Sequence, residues 1–349
     1  MDTREISPDV TLVGAYGSPY SIKMRAALRF RRIPFRWVTH GSQEADGVPE
    51  VPVAIIPILA FHGEDGSYAD AMVDSSPQIA RLEATHAGRS LVPADPVVAF
   101  LDHLIEDYGD EWITKVMYHY RWHHLYQAAI DKAGNLLPLM SDNQMPADAH
   151  AAMNAYITDR QVGRTALVGS TDQNRPIIEA SHVRLLQIMN RHLTDHQFLL
   201  GTRPGRGDLG IFGQFSQLAF WEPDSAAVQA VEGPRAVMWA YQMDDLSSLE
   251  VDGDAGWFAR DELPATTIEL LTEIGTSYAP FMVANAQALQ AGADEMSCEI
   301  AGATYSHGPF AYQGKCLAWL REAYTALSGD DRAAVDSILD GTGCAQLVA

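Results

Sequence analysis

Residues 12–25 read LVGAYGSPYSIKMR, and the fold follows from how this stretch changes character along its length. With Thr11 before it, the first part is apolar and reads as a short buried strand over Thr11–Ala15. A tight turn follows, and Ser18-Pro19 opens a helix. Serine is a favoured N-cap, and proline at the first helical position gives up no hydrogen bond that the helix would use. Ile22, Ala26, Leu28 and Phe30 carry the apolar side of that helix.

Reading onward, Phe35–Val38 is a second short strand and Ile55–Phe61 a third. Asp65-Gly66 is a hairpin signal leading to a fourth strand near Ser67–Asp70. Ser75-Ser76-Pro77 opens another helix that runs through Ile79, Leu82 and Glu83 towards Gly88. The order is strand, helix, strand, hairpin, helix, which describes an α/β domain over residues 1–92. After Pro93–Pro96 the strand-like segments nearly vanish. Val97–Leu125, His182–Leu193, Asp208–Phe220 and Phe310–Leu327 carry helical periodicity, so residues 97–349 read as a larger α-helical domain. Residues 133–150 and 222–262, rich in Asp, Gly and Pro, read as surface excursions.

The chain has 349 residues, a net charge of −21, 47% hydrophobic residues and a mean hydropathy of −0.10. That apolar content excludes wholesale disorder, and the negative charge excludes nucleic-acid binding by bulk attraction to phosphate. No apolar run is long enough to span a bilayer. The polar, acidic start carries no leader pattern, so the expected address is the cytoplasm. Three cysteines, Cys298, Cys316 and Cys344, all lie in the last 52 residues, a pattern of neither disulfides nor structural zinc. Residues 1–40 run against the overall charge. They hold seven Lys/Arg (Arg4, Lys23, Arg25, Arg29, Arg31, Arg32, Arg36) against three acids, and read either as a local field favouring a small anion or as a solvated basic face.

Three features of the first domain, taken in order, resemble the glutathione transferase superfamily: the 12–25 stretch, closest to the tau class; Ile56-Pro57-Ile58-Leu59, a proline entering an apolar strand; and Asp74-Ser75 opening a helix. In the second domain, Phe198–Gly201 followed by Pro204–Leu209 is similar to that family's buried capping box. Gly205 stands where the family has Ser or Thr, and Asp208 keeps its place. The resemblance covers roughly residues 10–220. It implies a thioredoxin-like N-terminal domain, a cis Pro57, an Asp74-Ser75 pair gripping the γ-glutamyl end of glutathione, and a homodimer. With a cis Pro57, the Ile56 backbone would align the cysteinyl part as an added strand does.

The chemistry at Ser18 stands on its own physics. A free thiol titrates near 8.5, so little thiolate exists at neutral pH. Lowering that value by two units needs about 2.7 kcal/mol of anion stabilisation. One charge-assisted hydrogen bond of roughly 1.5–3 kcal/mol plus a helix N-terminus can supply it. Ser18 stands at such a position, with Tyr16, Tyr20 and Ser21 as alternative hydroxyls. No cysteine precedes residue 298, which excludes mixed-disulfide chemistry at the first helix.

The expected function is a glutathione-dependent transferase acting on a small hydrophobic electrophile. A glutathione-dependent lyase, isomerase or dehalogenase, or a non-catalytic interaction module of the same fold, is the alternative. Tyr16, Trp112, Lys115, His119 and Trp122 are candidate lining of the electrophile pocket, against a reading in which the aromatics are core. His119 and His123 share a helix face, but no wider metal signature accompanies them, and no metal cofactor is expected. Cys316, among apolar neighbours, reads as inert core.

Overall fold

A computed structural model describes residues 9–349. Asp2, Arg4, Glu5 and the rest of the polar start, residues 1–8, lie outside the described residues. The N-terminal domain places β1 (Val10–Gly14), α1 (Pro19–Phe30), β2 (Phe35–Thr39), β3 (Ile58–His62), β4 (Tyr68–Val73) and α2 (Ser75–Thr85) in chain order. Its sheet runs β2-β1-β3-β4, with β1 parallel to β2 and the other pairs antiparallel. This is the thioredoxin-like arrangement. Strand β1 is buried at every position because it lies inside the sheet. The strands match the expected ones within a few residues, the largest shift being β3, which starts after Pro57 instead of at Ile55.

The helical region begins with α3 (Pro96–Tyr108), a π turn (Gly109–Ile113) and α4 (Thr114–Trp122), followed by α5 (Gln127–Ser141), α6 (Ala147–Val162) and the short α7 (Thr165–Val168). It continues through α8 (Arg175–His192), α9 (Arg206–Phe220), α10 (Pro223–Glu232) and α11 (Pro234–Met243). The long α12 (Ala265–Ala291), a hairpin of β5 (Met296–Ile300) and β6 (Ala303–His307), α13 (Ala311–Ala326) and α14 (Gly329–Leu339) complete it. Two expectations are corrected here. Residues 133–150 fall largely in the helical hairpin α5–α6, and residues 222–262 include α10 and α11; their Gly and Pro residues mark helix ends and starts as often as loops. Among the described residues no helix is long and apolar enough to cross a membrane.

One continuous apolar core runs from β1 through α3, α9 and α12 to Leu347, so the two parts are not separately packed. Helix α9 is the hinge of this packing. A Cβ on Gly210 would stand 2.8 Å from the Glu106 carbonyl oxygen of α3, and one on Gly213 2.8 Å from the Pro19 carbonyl oxygen of α1. The missing side chains let α9 draw both helices within side-chain reach of each other. The start of α9 carries the expected capping box in altered form. Gly205 N and Leu199 N donate to the two oxygens of Asp208, each at 3.0 Å. The place of a cap hydroxyl is taken by Asp102 of α3, which accepts from Gly207 N at 2.9 Å and Arg206 N at 3.2 Å. A hydrogen bond expected to be weakened by Gly205 is supplied from another helix.

Candidate active site

The strand-to-helix turn after β1 places Ser18 at the start of α1. Its backbone is extended (φ −103°, ψ 118°), and its Oγ accepts from Ser21 N at 3.3 Å. With an oxygen lone pair thus engaged, the O–H is left to donate outward to an anion at the helix N-terminus. The alternative hydroxyls are placed differently. Tyr20 Oη donates to the Asp110 carbonyl oxygen at 2.8 Å, and the buried Ser21 Oγ accepts from Ala15 N at 3.3 Å. Tyr16 is 45% exposed, its ring 5.2 Å from Trp37 and 5.4 Å from the Arg25 guanidinium.

The turn is held from the helical region by residues that the sequence did not single out. Buried Arg121 of α4 donates to the Gly17 carbonyl oxygen at 2.7 Å, to Gln217 Oε1 at 2.8 Å and to Glu222 Oε1 at 2.5 Å. Gln217 Nε2 in turn donates to the Tyr16 carbonyl oxygen at 3.2 Å. A planar, permanently charged donor fork suits such a three-way grip. Beside the turn lies a cleft of about 260 Å³ lined by Tyr16, Ile22, Arg25, Gln217, Phe220, Trp221 and Tyr241.

Of the candidate pocket residues, Tyr16 alone borders this cleft. The others are interior. Trp112 Nε1 donates to Ser181 Oγ at 3.1 Å, with its ring near Phe281 and Tyr305. Lys115 Nζ donates to the Val168 carbonyl oxygen at 3.1 Å, lies 3.3 Å from His307 Nε2, and is pushed down by burial to about 7. His119 has both ring nitrogens engaged, by Ser170 Oγ at 2.8 Å and Glu179 at 3.3 Å. Trp122 packs with Ile130 and Ala133.

At the other end of the first domain the Ile56–Pro57 peptide is cis. Ile56 stands just before β3, whose last partner on β1 is the Val13–Ile58 pair. Asp74 adopts a positive φ of 80°, an uncommon backbone for a residue with a side chain. Asp74 and Ser75 are brought together, and both already have partners within the protein. Tyr312 Oη of α13 donates to Asp74 Oδ2 at 2.7 Å, and Lys23 Nζ donates to Ser75 Oγ at 3.2 Å.

Lys23 is fully buried and lies 2.8 Å from Glu106 and 2.5 Å from Asp110. Burial opposes its charge, but Asp110 and Glu106 outweigh that and hold the ammonium protonated well above its ordinary range. Burial likewise opposes ionisation of Glu106, yet Lys23 and Arg206 hold it down at about 2. Asp110 is pushed up to about 6, by burial and by neighbouring Glu106, despite Lys23.

The same pattern overturns both readings of the basic N-terminal stretch. Arg25 and Arg29 pair with Asp244 at 2.6 and 3.0 Å, Arg31 with Glu83 at 2.8 Å, and Arg32 with Glu250 at 2.5 Å. Its charges are mostly answered by acids, chiefly of the helical region, and form neither a free field nor a solvated face.

Cys316 of α13 lies in the core, as expected. It is buried, but its environment is acidic and phenolic as well as apolar. Burial, with Glu111, Asp107, Asp74 and Asp110 around it, pushes the thiol far above its ordinary range. Burial raises Asp107 to about 7 and, with Asp107 and Asp110 nearby, Glu111 to about 8.

No curated protein matches this chain. A tau class glutathione S-transferase from mango, Mangifera indica, aligns at 17% identity over 75% of this chain and 95% of its own, with a TM-score of 0.38. A glutathione S-transferase from Rhodospirillum rubrum aligns at 14% identity over 72% and 96%, with a TM-score of 0.42. A glutathione transferase family member from Pseudomonas fluorescens, crystallised with two glutathione molecules bound, aligns at 13% identity over 69% and 90%, with a TM-score of 0.41. The part of the chain that a family model matches is the N-terminal domain: residues 12–90 match the glutathione S-transferase N-terminal domain.

Proposed function

We propose that the protein binds glutathione along the edge formed by the α1 start, the Ile56 backbone and the α2 start, and activates its thiol at Ser18 for attack on a hydrophobic electrophile. The observation that carries this reading is the Ser18 geometry: a helix-capping hydroxyl with its acceptor side occupied, beside an aromatic-lined cleft. Donation to the thiolate by Ser18 accounts for roughly 1.5–3 kcal/mol, or one to two units of thiol pKa, and the helix N-terminus adds to it. The electrophile is placed against Tyr16, Phe220, Trp221 and Tyr241. In this reading the protein is a cytoplasmic homodimer, and its three free thiols suit a reducing compartment.

One observation favours the second reading, a non-catalytic module of the same fold. Asp74 and Ser75, the groups assigned to the γ-glutamyl end, already hold Tyr312 and Lys23. A lyase, isomerase or dehalogenase would use the same thiolate. Titrating glutathione into wild type and Ser18→Ala, with thiolate absorbance and turnover of a generic electrophile as readouts, separates these. The proposal expects the bound thiol pKa to rise by one to two units in the variant. Unchanged thiolate formation removes Ser18 from the role, and absence of binding in wild type selects the non-catalytic module.

A further inference from the structure

Between α3 and α13, next to Tyr20 and Asp74, side chains of two helices converge. Asp107 and Glu111, four residues apart, come from the end of α3 and its π turn. Cys316 and Gln313, three residues apart on α13, share one face of that helix. One ligand atom from each of Asp107, Glu111 and Cys316 lies within 4.8 Å of the others. Two further observations point to an occupant. Gln313 is 96% buried, since only 4% of it is exposed, and its Oε1 has no hydrogen-bond partner, although its amide stands within reach of Glu111. Asp107 accepts a short hydrogen bond from Tyr278 of α12, the outer support that ligating carboxylates receive in metal sites.

We propose that Asp107, Glu111 and Cys316, with Gln313 Oε1 as fourth donor, bind a divalent cation of zinc-like softness between α3 and α13. The donor set selects the class of ion. A thiolate disfavours Mg²⁺ and Ca²⁺, which take six or more oxygens, and suits a tetrahedral ion of borderline softness. A half-turn of the Gln313 amide turns its oxygen towards the cluster. On binding, the Sγ–metal bond forms as the thiol proton leaves to solvent, and the protons held by the Asp107 and Glu111 carboxyls leave with it so that both coordinate as anions. Asp107, only half-buried, gives the entry side. The bound ion would tie α13, and with it the Tyr312 that holds Asp74, to α3. The inference does not depend on the glutathione reading, because its test uses metal alone.

The test is Co²⁺ titration of the metal-stripped full chain, followed by Zn²⁺ calorimetry. The expected result is one equivalent of Co²⁺ with a thiolate-to-cobalt charge-transfer band. Cys316→Ser abolishes the band, and Asp107→Asn weakens Zn²⁺ binding by about ten-fold or more. Cys316 is buried, so Asp107→Asn, at a less deeply buried position, provides the reading that does not depend on that variant's folding. A second group, His123, His124 and Asp172, also brings its ligand atoms within 4.8 Å, so the His123→Ala/His124→Ala variant is the control. Absence of the band in wild type, unchanged Zn²⁺ affinity in Asp107→Asn, or loss of binding confined to the histidine variant overturns the proposal.

Discussion

Replacing Lys23 by Met tests whether a single buried ammonium holds the first two helices against the helical region. The side chain keeps much of its volume, so the main loss is charge. Four acceptors change partner at once: Glu106 at 2.8 Å, Asp110 at 2.5 Å, Ser75 Oγ at 3.2 Å and Ser76 Oγ at 3.5 Å. Glu106 retains Arg206, whose Nη1 lies 3.7 Å away. Asp110 has no comparable substitute, and its Oδ1 is already unpartnered. Stranding one buried carboxylate costs about 3–5 kcal/mol, and that is the expected loss at pH 7. Asp110→Asn alone leaves Lys23 on Glu106 and costs about 1–2 kcal/mol. In the double variant the stranded charge is gone, so the loss falls short of the sum by about 2 kcal/mol. The pH dependence follows from the proton count. Wild-type Asp110 ionises near 6 in the folded state. Without Lys23 it keeps its proton to higher pH. Above about pH 6 the folded variant therefore binds one proton more than folded wild type, and it loses stability relative to wild type by up to about 1.4 kcal/mol per unit as pH rises. Below pH 6 Asp110 is protonated in both proteins and adds nothing further, while Glu106, which also loses the hold of Lys23, narrows the gap as pH falls. Urea unfolding of the four proteins between pH 5 and 8 measures all of this. A loss under about 1 kcal/mol for the single variant, or additivity in the cycle, refutes the reasoning.

Two further outcomes are expected. Gly205→Ser, which restores a conventional helix cap on paper, should destabilise by about 1–3 kcal/mol, because a Cβ there lies 2.2 Å from Asp102 Oδ1; in an Asp102→Ala background the same substitution should cost less, and thermal melts of the pair decide it. His182 is fully buried and pushed down to about 3 by that burial alone. The unfolded chain takes up its proton near 6.5 and the folded chain does not, so acidification from pH 6.5 to 4.5 should cost wild type about 2.3 kcal/mol more than His182→Gln; parallel losses would exclude His182 as the source.

What was legible in the sequence is what short-range chemistry decides. Ser18-Pro19 announces a helix start because capping and the proline ring act within four residues, and β1 reads as buried because its apolar run is unbroken. Pro57 and Asp74-Ser75 stand out through a family resemblance, by their order after that start and not by any local rule. What escaped reading depends on pairs far apart in the chain. Nothing local in Lys23 shows that Glu106 and Asp110 will close around it, and Arg121 sits in a histidine- and aromatic-rich segment that draws attention away from its charge. Trp112, Lys115, His119 and Trp122 have the residue types of a pocket wall, but only the packing of α4 against α8 and β6 decides that they face inward. Gly205 reads as a weakened cap until Asp102, over a hundred residues earlier, is seen to fill it. The β5–β6 hairpin stands in a region that composition described as helical.

The pairing of α1 with distant acids bears on how the chain is made. Arg25 meets Asp244 across 219 residues and Arg32 meets Glu250 across 218. At about 5–20 residues per second, synthesis delivers those acids roughly 10–40 s after the arginines. Throughout that interval the emerging α/β part holds an uncompensated basic helix, and Lys23 waits for α3 before its burial is tolerable. The N-terminal domain is thus made early and completed late, and an early halt in synthesis would leave an incompletely packed fragment, its Arg25 and Arg29 without their acids, in place of a small stable domain.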